Sequence, residues 1–586
     1  MENGEVIERP RVDPESIRKD KLRSESIDAE MDDGNVEYKF RLTGLTDERI
    51  DGLVTQMKYR IHEGKGECFY LLGVHDGGQL VGLGDSDLSE SVDNLRKIAS
   101  RLGCSVQVVQ ESKCPTNDKQ TYGQYLIRHE NNSYIDIKVG VVGNVDSGKS
   151  SLVGVLCKNV LDDGRGKSRS LVFNYKHEIQ TGRTSSISHQ ILGFDANGHA
   201  VAPTKLGSNS AWGDIVTKSS KIVSFYDLAG HEKYLKTTIY GLSMLNPDYA
   251  IVMCGSNMGI SQMTKEHLSL CLSLQIPFII VLSKIDIAPA NILKENIDKI
   301  NQLCKKWAGK MPYHVKNMTD AIDVSQKILT NGIVPIVQIS NVSSHNIDLL
   351  KSLLNMLPRR NDYSKVAGEK VEMLIDCHYH ITGHGTVVSG ILRSGTVRQN
   401  DSLFLGPCTQ SGGYKPTKVK SIHSKFTEVK EAECGKYVCL CLKGVARKEI
   451  KRGMILTDLV ASSGASERIF WARMSILQSH HTTIRPGYEP FLHVCHVRQA
   501  AKIVDIRKIS RGDSEKESGG ASAQTLRTGD KAFVQLEFKH KAEYLNSSMK
   551  VIFRDGNIKA VGAVVDPSRL PPKLAAMLAE NPSKEG

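Results

Sequence analysis

No C-x-x-C pair occurs among the thirteen cysteines of this chain, and Cys439 and Cys441 alternate along an apparent strand. That pattern argues against a zinc cluster or a disulfide framework and for buried thiols. No apolar run approaches the ~18 residues that mark a membrane span, so no membrane association is expected. The start at Met1 lacks the basic-then-apolar order of a signal peptide, and Glu2, Glu5 and Glu8 are foreign to an acid-poor transit peptide; a cytoplasmic protein is expected. Aromatic residues are absent before Tyr38, where charges of both signs accompany Pro10 and Pro14. Too little apolar surface is available there to offset the entropy of ordering, so residues 1–36 read as a flexible arm.

The composition that remains, 40% hydrophobic and 24% charged, is that of an ordinary globular protein, and 586 residues are too many for one core. Lysine and arginine outnumber aspartate and glutamate by 77 to 65, a surplus of +12 that suits a polyanionic partner without demonstrating one. Over 37–130, apolar runs at 69–72 and 80–83 flank the turn Asp76-Gly77-Gly78 and predict a hairpin. Asp87 and Glu90 then open a helix carrying Leu88, Val92, Leu95, Ala99 and Leu102, with Gly103 as its stop, and 105–110 follows as a strand. This small α/β module shows no nucleophile, base or ligand constellation and reads as a scaffold or docking unit. Over 131–360, buried-type strands at 137–142, 221–226, 249–254, 278–282 and 334–339 alternate with helical stretches and predict a doubly wound parallel sheet. Beyond Pro358, short alternating strands with glycine turns predict two β-barrels, 365–462 and 466–568. The second carries a polar insertion at 511–525, and a loose or partly helical tail follows at 569–586.

The run Gly143-Asn144-Val145-Asp146-Ser147-Gly148-Lys149-Ser150 matches G-x-x-x-x-G-K-[ST] between a strand and a helix starting near Lys149. Backbone N–H groups of such a loop wrap phosphates at a positive helix end, Lys149 reaches the β- and γ-phosphates, and the Ser150 hydroxyl ligates Mg²⁺. Ser151 belongs to the same nucleotide-binding run. A second strand ends in Asp227-Leu228-Ala229-Gly230-His231. Asp227 is placed there to hold Mg²⁺ through water, and Gly230 to offer its N–H to the γ-phosphate and swing when that phosphate leaves. A third strand feeds Ser283-Lys284-Ile285-Asp286, whose Asp286 accepts from guanine N1 and exocyclic N2, a donor pair that adenine lacks. A last strand delivers Ser340-Asn341 for a backbone contact to guanine O6. One such aspartate alone would read as a surface acid; four elements in order, each at a strand's carboxyl end, predict a GTP or GDP site.

These residues resemble the translational GTPases, the family of elongation factor Tu and eukaryotic elongation factor one-alpha, over roughly residues 135–566. The resemblance is greatest to the eukaryotic GTP-binding protein one and two group. It implies a role for Asp146, the fourth P-loop residue, in binding a monovalent cation. Asp227-Leu228-Ala229-Gly230-His231-Glu232 looks like the family's second switch, which implies that His231 is the catalytic residue, orienting the attacking water. Glu178-Ile179-Gln180-Thr181-Gly182-Arg183-Thr184 resembles the first switch and implies that Thr184 senses Mg²⁺ and the γ-phosphate. The basic stretch Arg165-Gly166-Lys167-Ser168-Arg169 before it suits an effector loop. His189 falls where the family places a histidine beside the esterified amino acid of tRNA. Gly383-His384-Gly385-Thr386-Val387-Val388-Ser389-Gly390 looks like the second-domain barrel signature, and Arg554-Asp555-Gly556 with Ala560-Val561-Gly562 like the end of the third domain.

Two departures stand out. Ser283 replaces the family's asparagine, which removes amide contacts around purine N7 and the P-loop. Arg183 replaces an isoleucine before the switch threonine, as either an internal arginine near the phosphates or an outward, RNA-facing one. The resemblance implies a monomeric GTPase that binds aminoacyl-tRNA and acts at the ribosome, in elongation or in ribosome rescue and surveillance. A GTP-regulated adaptor that recruits RNA-decay or quality-control proteins through residues 38–130 is the alternative. A sulfate-activating enzyme subunit shares the architecture, but no partner domain for that chemistry is visible.

Overall fold

A computed structural model describes residues 26–130, 134–173, 175–203, 210–329, 332–408, 413–458, 466–476, 483–509, 525–547, 549–555 and 557–566. Its centre is an eight-stranded sheet in the order Met311–Val315, Ile333–Gln338, Phe278–Ser283, Tyr249–Gly255, Ile135–Gly143, Lys221–Asp227, Ser188–Phe194, Ala200–Val201. The first six strands are parallel, Ser188–Phe194 runs antiparallel to them, and Ala200–Val201 pairs antiparallel with Ser188–Phe194. Ile135–Gly143, Lys221–Asp227 and Tyr249–Gly255 are buried at every position, as expected for near-continuous apolar runs covered by helices on both faces. Because the strands are parallel, the ends of Ile135–Gly143, Lys221–Asp227, Phe278–Ser283 and Ile333–Gln338 meet along one sheet edge, and the nucleotide motifs meet with them. The strands Met311–Val315, Ser188–Phe194 and Ala200–Val201 were not anticipated.

The N-terminal module is a four-stranded sheet in the order Val36–Lys39, Glu67–Leu72, Asn117–His129, Cys104–Cys114, with helices Asp47–Glu63 and Asp85–Arg101 on one face. The expected hairpin does not form. Both edges of Glu67–Leu72 are taken, by Val36–Lys39 in parallel and by Asn117–His129 in antiparallel, which leaves Leu80 and Leu83 only isolated bridges to Val74 and Thr121. The segment before the first strand runs along this module: the Ile27 N–H donates to the Gly78 carbonyl at 2.9 Å, and Arg60 Nη2 donates to Glu30 at 2.6 Å. Residues 1–25 lie outside the described residues.

The other face of the module's sheet packs on the central domain, with Tyr38, Phe69, Leu71 and Leu126 in one apolar cluster with Ile135, Ile137 and Leu353. A buried ionic cluster crosses this junction. Glu67 accepts from Arg128 Nε at 2.8 Å and from Lys221 Nζ at 3.0 and 3.2 Å; Lys221 also donates to the Leu357 carbonyl at 2.6 Å, and Arg128 to Asn355 at 2.7 and 2.5 Å. All three charged groups are at most 2% exposed. One carboxylate thus serves two buried cations, a geometry that fixes how the module sits.

Two barrels follow. In the first, Glu372–Ile381, Gly385–Ser394, Tyr437–Lys443, Lys415–Ser424, Ser402–Gly406 and Ile455–Thr457 close into a ring, through pairing of Ser402–Gly406 with Lys415–Ser424. The second is a closed ring of Ile469–Ile476, Lys531–Phe538, Val497–Lys508, Phe491–Val494, Lys550–Asp555 and Asn557–Val565. The motif residue Gly556, most of the 511–525 insertion and the tail from 567 lie outside the described residues. The first barrel is pinned to the central domain by Lys425, whose Nζ lies 3.0 Å from Asp136 and donates to Ser224 Oγ at 2.6 Å, all three residues being buried. The thirteen cysteines are all free thiols, ten of them buried.

Candidate functional site

At the end of Ile135–Gly143 the chain turns through Asn144-Val145-Asp146-Ser147 into the helix Lys149–Lys158. Asp146 takes a left-handed conformation, φ +59°, which a short polar side chain tolerates. The loop bounds an open cavity lined by Val145, Asp146, Gly148, Lys149, Ser150, Ser151, Gly230 and His231, by Arg169, and by Gly182, Arg183 and Thr184 from the first switch. Lys149 Nζ donates to the Asn144 carbonyl at 2.7 Å. Burial lowers its pKa, against the pull of Asp227 and Asp146.

Three oxygens sought from sequence converge. Ser150 Oγ donates to Asp227 Oδ2 at 2.5 Å and lies 2.8 Å from Thr184 Oγ1, which is 3.4 Å from the same carboxylate oxygen. Asp227 Oδ1 is buried without a partner among the described residues. Burial pushes the Asp227 pKa up to about 6, although Lys149, Ser150 and Thr184 oppose the rise. A set of hard oxygens around a buried, under-partnered carboxylate is the donor chemistry that suits Mg²⁺. Gly230 lies against the lysine: a Cβ there would fall 2.4 Å from Lys149 Nζ and 2.5 Å from the Gly143 carbonyl, so no other residue fits. Half-buried His231 caps the turn Glu232–Tyr234, its Nδ1 accepting from the Lys233 N–H at 3.1 Å. In the neutral ring the proton therefore sits on Nε2, a donor suited to orienting a water rather than deprotonating it.

On the base side, Asp286 is exposed after Lys284, whose backbone is left-handed at φ +61°. Ser283 Oγ donates to the Ser147 carbonyl at 2.7 Å, so the hydroxyl keeps a tie to the P-loop where the family's amide is missing. Ser340 Oγ accepts from the N–H groups of Val342 and Ser343, and buried Asn341 sets its Nδ2 beside Gly148 while its Oδ1 has no partner among the described residues. The sequence motifs thus fall in one place.

Two further residues shape the cavity wall. Glu178 is wholly buried, and its Oε1 accepts from the backbone and hydroxyl of both Ser185 and Ser186 at 2.7–3.1 Å, folding the loop so that Thr184 enters the site. Arg169 lines the cavity beside Gly182. The pair Gly166 and Gly182 was the available signal, since both leave space around that guanidinium. Arg183 lines the same cavity with an exposed side chain. His189 lies elsewhere, in the seam between the central domain and the first barrel. Its ring stacks on Tyr226 at 4.6 Å and meets Trp212 at 5.1 Å and Tyr437 at 6.0 Å edge-on.

Residues 136–359 match the family model of the elongation factor Tu GTP-binding domain, and residues 385–457 that of elongation factor Tu domain 2. GTP-binding protein 1 of Xenopus laevis is 40% identical over 536 residues, covering 91% of this chain and 78% of its own. Human GTP-binding protein 2 is 36% identical over 546 residues, covering 92% and 87%. Elongation factor 1-alpha of Methanobrevibacter smithii is 26% identical across 68% of this chain and 89% of its own. Among solved structures, elongation factor SelB of Methanococcus maripaludis with the GTP analogue GppNHp shares the fold, with a TM-score of 0.51 at 20% identity over 76% of this chain and 82% of that one. The fold and site define a translational GTPase of the elongation factor type, a P-loop domain and two barrels that bind and hydrolyse GTP. Within that class the chain belongs to the family of GTP-binding proteins 1 and 2.

Proposed function

We propose that the GTP-bound protein holds aminoacyl-tRNA across its GTPase domain and barrels, and hydrolyses GTP at the ribosome, in elongation or in ribosome rescue and surveillance. The observation that carries this reading is the aromatic seam at His189. Burial holds His189 neutral, with a pKa lowered to about 3, and its Nε2 has no partner among the described residues. Trp212 continues the seam to Phe426 at 5.2 Å, and Phe426 is 60% exposed. Packed rings that reach solvent at Phe426, between two domains, offer an aromatic face for an aminoacyl or base group. His189 follows Thr184 by five residues, so this face is coupled to the loop that carries the switch threonine.

In this reading Ser150, Thr184 and Asp227 would hold Mg²⁺, which would supply charge neutralisation at the phosphates. Asp146 contributes to a monovalent cation site, and His231 orients water once ribosomal RNA orders it. The protein works as a monomer in the cytoplasm. Charged tRNA is expected to bind in GTP and not in GDP, and uncharged tRNA weakly; equal binding in both nucleotides would sink the tRNA reading. Ribosomes are expected to stimulate hydrolysis in the parent and not in His231→Ala.

An adaptor role for the N-terminal module has one feature in its favour: Asp47–Glu63 keeps an outer face in solvent, with Tyr59 46% exposed. Substitutions on that face, which leave the buried junction intact, are expected to spare tRNA and ribosome binding in either reading. Loss of an RNA-decay or quality-control partner in the same variants would favour the adaptor.

A further inference from the structure

Three cations and one carboxylate line the phosphate cavity: Lys149, Arg169 and Arg183 against Asp146. Lys149 belongs to the P-loop, and Arg183 has an exposed side chain beside Thr184. Arg169 belongs to no nucleotide-binding motif. It sits in the short helix Lys167–Ser170, and its guanidinium lies between two glycines. A Cβ at Gly166 would fall 2.2 Å from Arg169 Nε, and one at Gly182 would fall 3.0 Å from Nη2, so larger residues at either position would displace the group. The guanidinium's one hydrogen bond among the described residues is long, from Nη1 to the Gly182 carbonyl at 3.4 Å. Among the described residues, no carboxylate lies within ion-pair distance of it. A partly covered, permanently charged fork with a weak neutral partner, in the wall of a phosphate cavity, is complementary to phosphoryl oxygens.

We propose that Arg169 is a phosphate-facing arginine supplied in cis: with GTP bound, its guanidinium exchanges the Gly182 carbonyl for γ-phosphoryl oxygens and stabilises the charge that spreads over them during hydrolysis. In that step the water oxygen bonds to the γ-phosphorus as the bond from that phosphorus to the β–γ bridging oxygen breaks. The electron pair leaves on GDP, and the water proton passes to the released phosphate or to solvent. Arg169 keeps its own protons throughout. Gly182 lies two residues before Thr184, so the contact that Arg169 gives up belongs to the loop that carries the switch threonine. The proposal concerns GTP hydrolysis alone and stands or falls separately from the tRNA reading.

The test uses the full chain, with Arg169→Ala and Arg169→Lys, without ribosomes or tRNA. Three quantities are measured: the affinity for GDP and for a non-hydrolysable GTP analogue, single-turnover hydrolysis, and capture of GDP with aluminium fluoride as a mimic of the transferring phosphoryl group. A cis arginine predicts roughly a thousandfold or more slower hydrolysis in Arg169→Ala, loss of aluminium fluoride capture, and GDP affinity within about twofold of the parent. Arg169→Lys, which keeps charge without the fork, should fall between. Unchanged hydrolysis and capture would overturn the proposal. So would ground-state affinity falling in step with hydrolysis, the mark of a brace for the switch loop. Failure of the parent itself to capture the mimic would also overturn it, because an arginine in cis needs no partner to complete the site.

Discussion

Replacing Lys425 by methionine should loosen the first barrel from the GTPase domain by an amount that depends on pH in a reversed sense. Lys425 and Phe426 form the two-residue turn between Ser424 and Thr427, both left-handed, at φ +48° and +64°. Such turns favour Asn-Gly, and each bulky residue there costs about 1–3 kcal/mol. The compensating contact is Lys425 Nζ against Asp136 at 3.0 Å and Ser224 at 2.6 Å, with Ser224 also donating to Asp136 at 2.7 Å. Asp136 is 5% exposed and Ser224 is wholly buried. Removing one member of a buried pair leaves the other charge uncompensated, a loss of about 3–5 kcal/mol. In the parent, burial pushes the Asp136 pKa up, but Lys425 and Ser224 outweigh it and hold it below the ordinary value. That depressed pKa contributes stability above about pH 4 that is lost only as the medium turns strongly acid. In Lys425→Met burial is unopposed by the ammonium, so the folded pKa rises above the unfolded one, and stability is lost as pH rises through it. The deficit should therefore be smaller near pH 5 than near pH 8. Urea unfolding followed through Trp212, with Trp307 and Trp471 replaced by phenylalanine, reads the domain junction directly. A deficit under about 1 kcal/mol at pH 8, one that grows on acidification, or one not relieved by adding Asp136→Asn would refute the reasoning.

Glu67→Gln strands Arg128 as a buried cation and removes the carboxylate that opposes the lowering of the Lys221 pKa to about 7 by burial, so Lys221 sheds its proton while Arg128 cannot. The change is expected to cost about 3–5 kcal/mol, seen as lost hydrogen-exchange protection across the module junction, and protection equal to the parent would contradict the clamp. Ser283→Ala removes the tie to the Ser147 carbonyl and should weaken GDP and GTP alike by about 1 kcal/mol, or roughly fivefold. Asp286 is untouched, so guanine selectivity, measured by competition with adenine nucleotides, should persist. Because Asp227 titrates near pH 6 when no cation is bound, protons should compete with Mg²⁺ below that value. The Mg²⁺ concentration needed for half-maximal retention of GDP should rise as pH falls from 7 to 5, and a flat profile would remove Asp227 from the metal site.

The hairpin expected near residues 69–83 shows where local reading fails. An apolar run, a glycine turn and a second run satisfy hairpin chemistry, yet Glu67–Leu72 has neighbours on both edges contributed by residues 36–39 and 117–129. Strand pairing is a competition among distant partners, and local pattern does not rank them. The strands Met311–Val315 and Ser188–Phe194 were missed for a related reason, since neither ends in a nucleotide-binding motif. Ser283 taught the opposite lesson: a substitution that removes an amide left a hydroxyl in reach of the same loop, a distance only coordinates supply.

The nucleotide site was legible in the chain because each contributing group sits in a contiguous loop at a strand's end, and parallel strands bring such ends together whatever else the fold does. Asp286, the converging oxygens of Ser150, Thr184 and Asp227, and His231 all belong to loops of that kind. The placement of Arg169 in the cavity wall, of Glu178 beneath the switch, of Lys425 on Asp136 and of two cations on Glu67 belongs to the folded molecule. Each of these contacts joins residues from separate segments, and a charge is buried only where its partner's position in space makes burial tolerable.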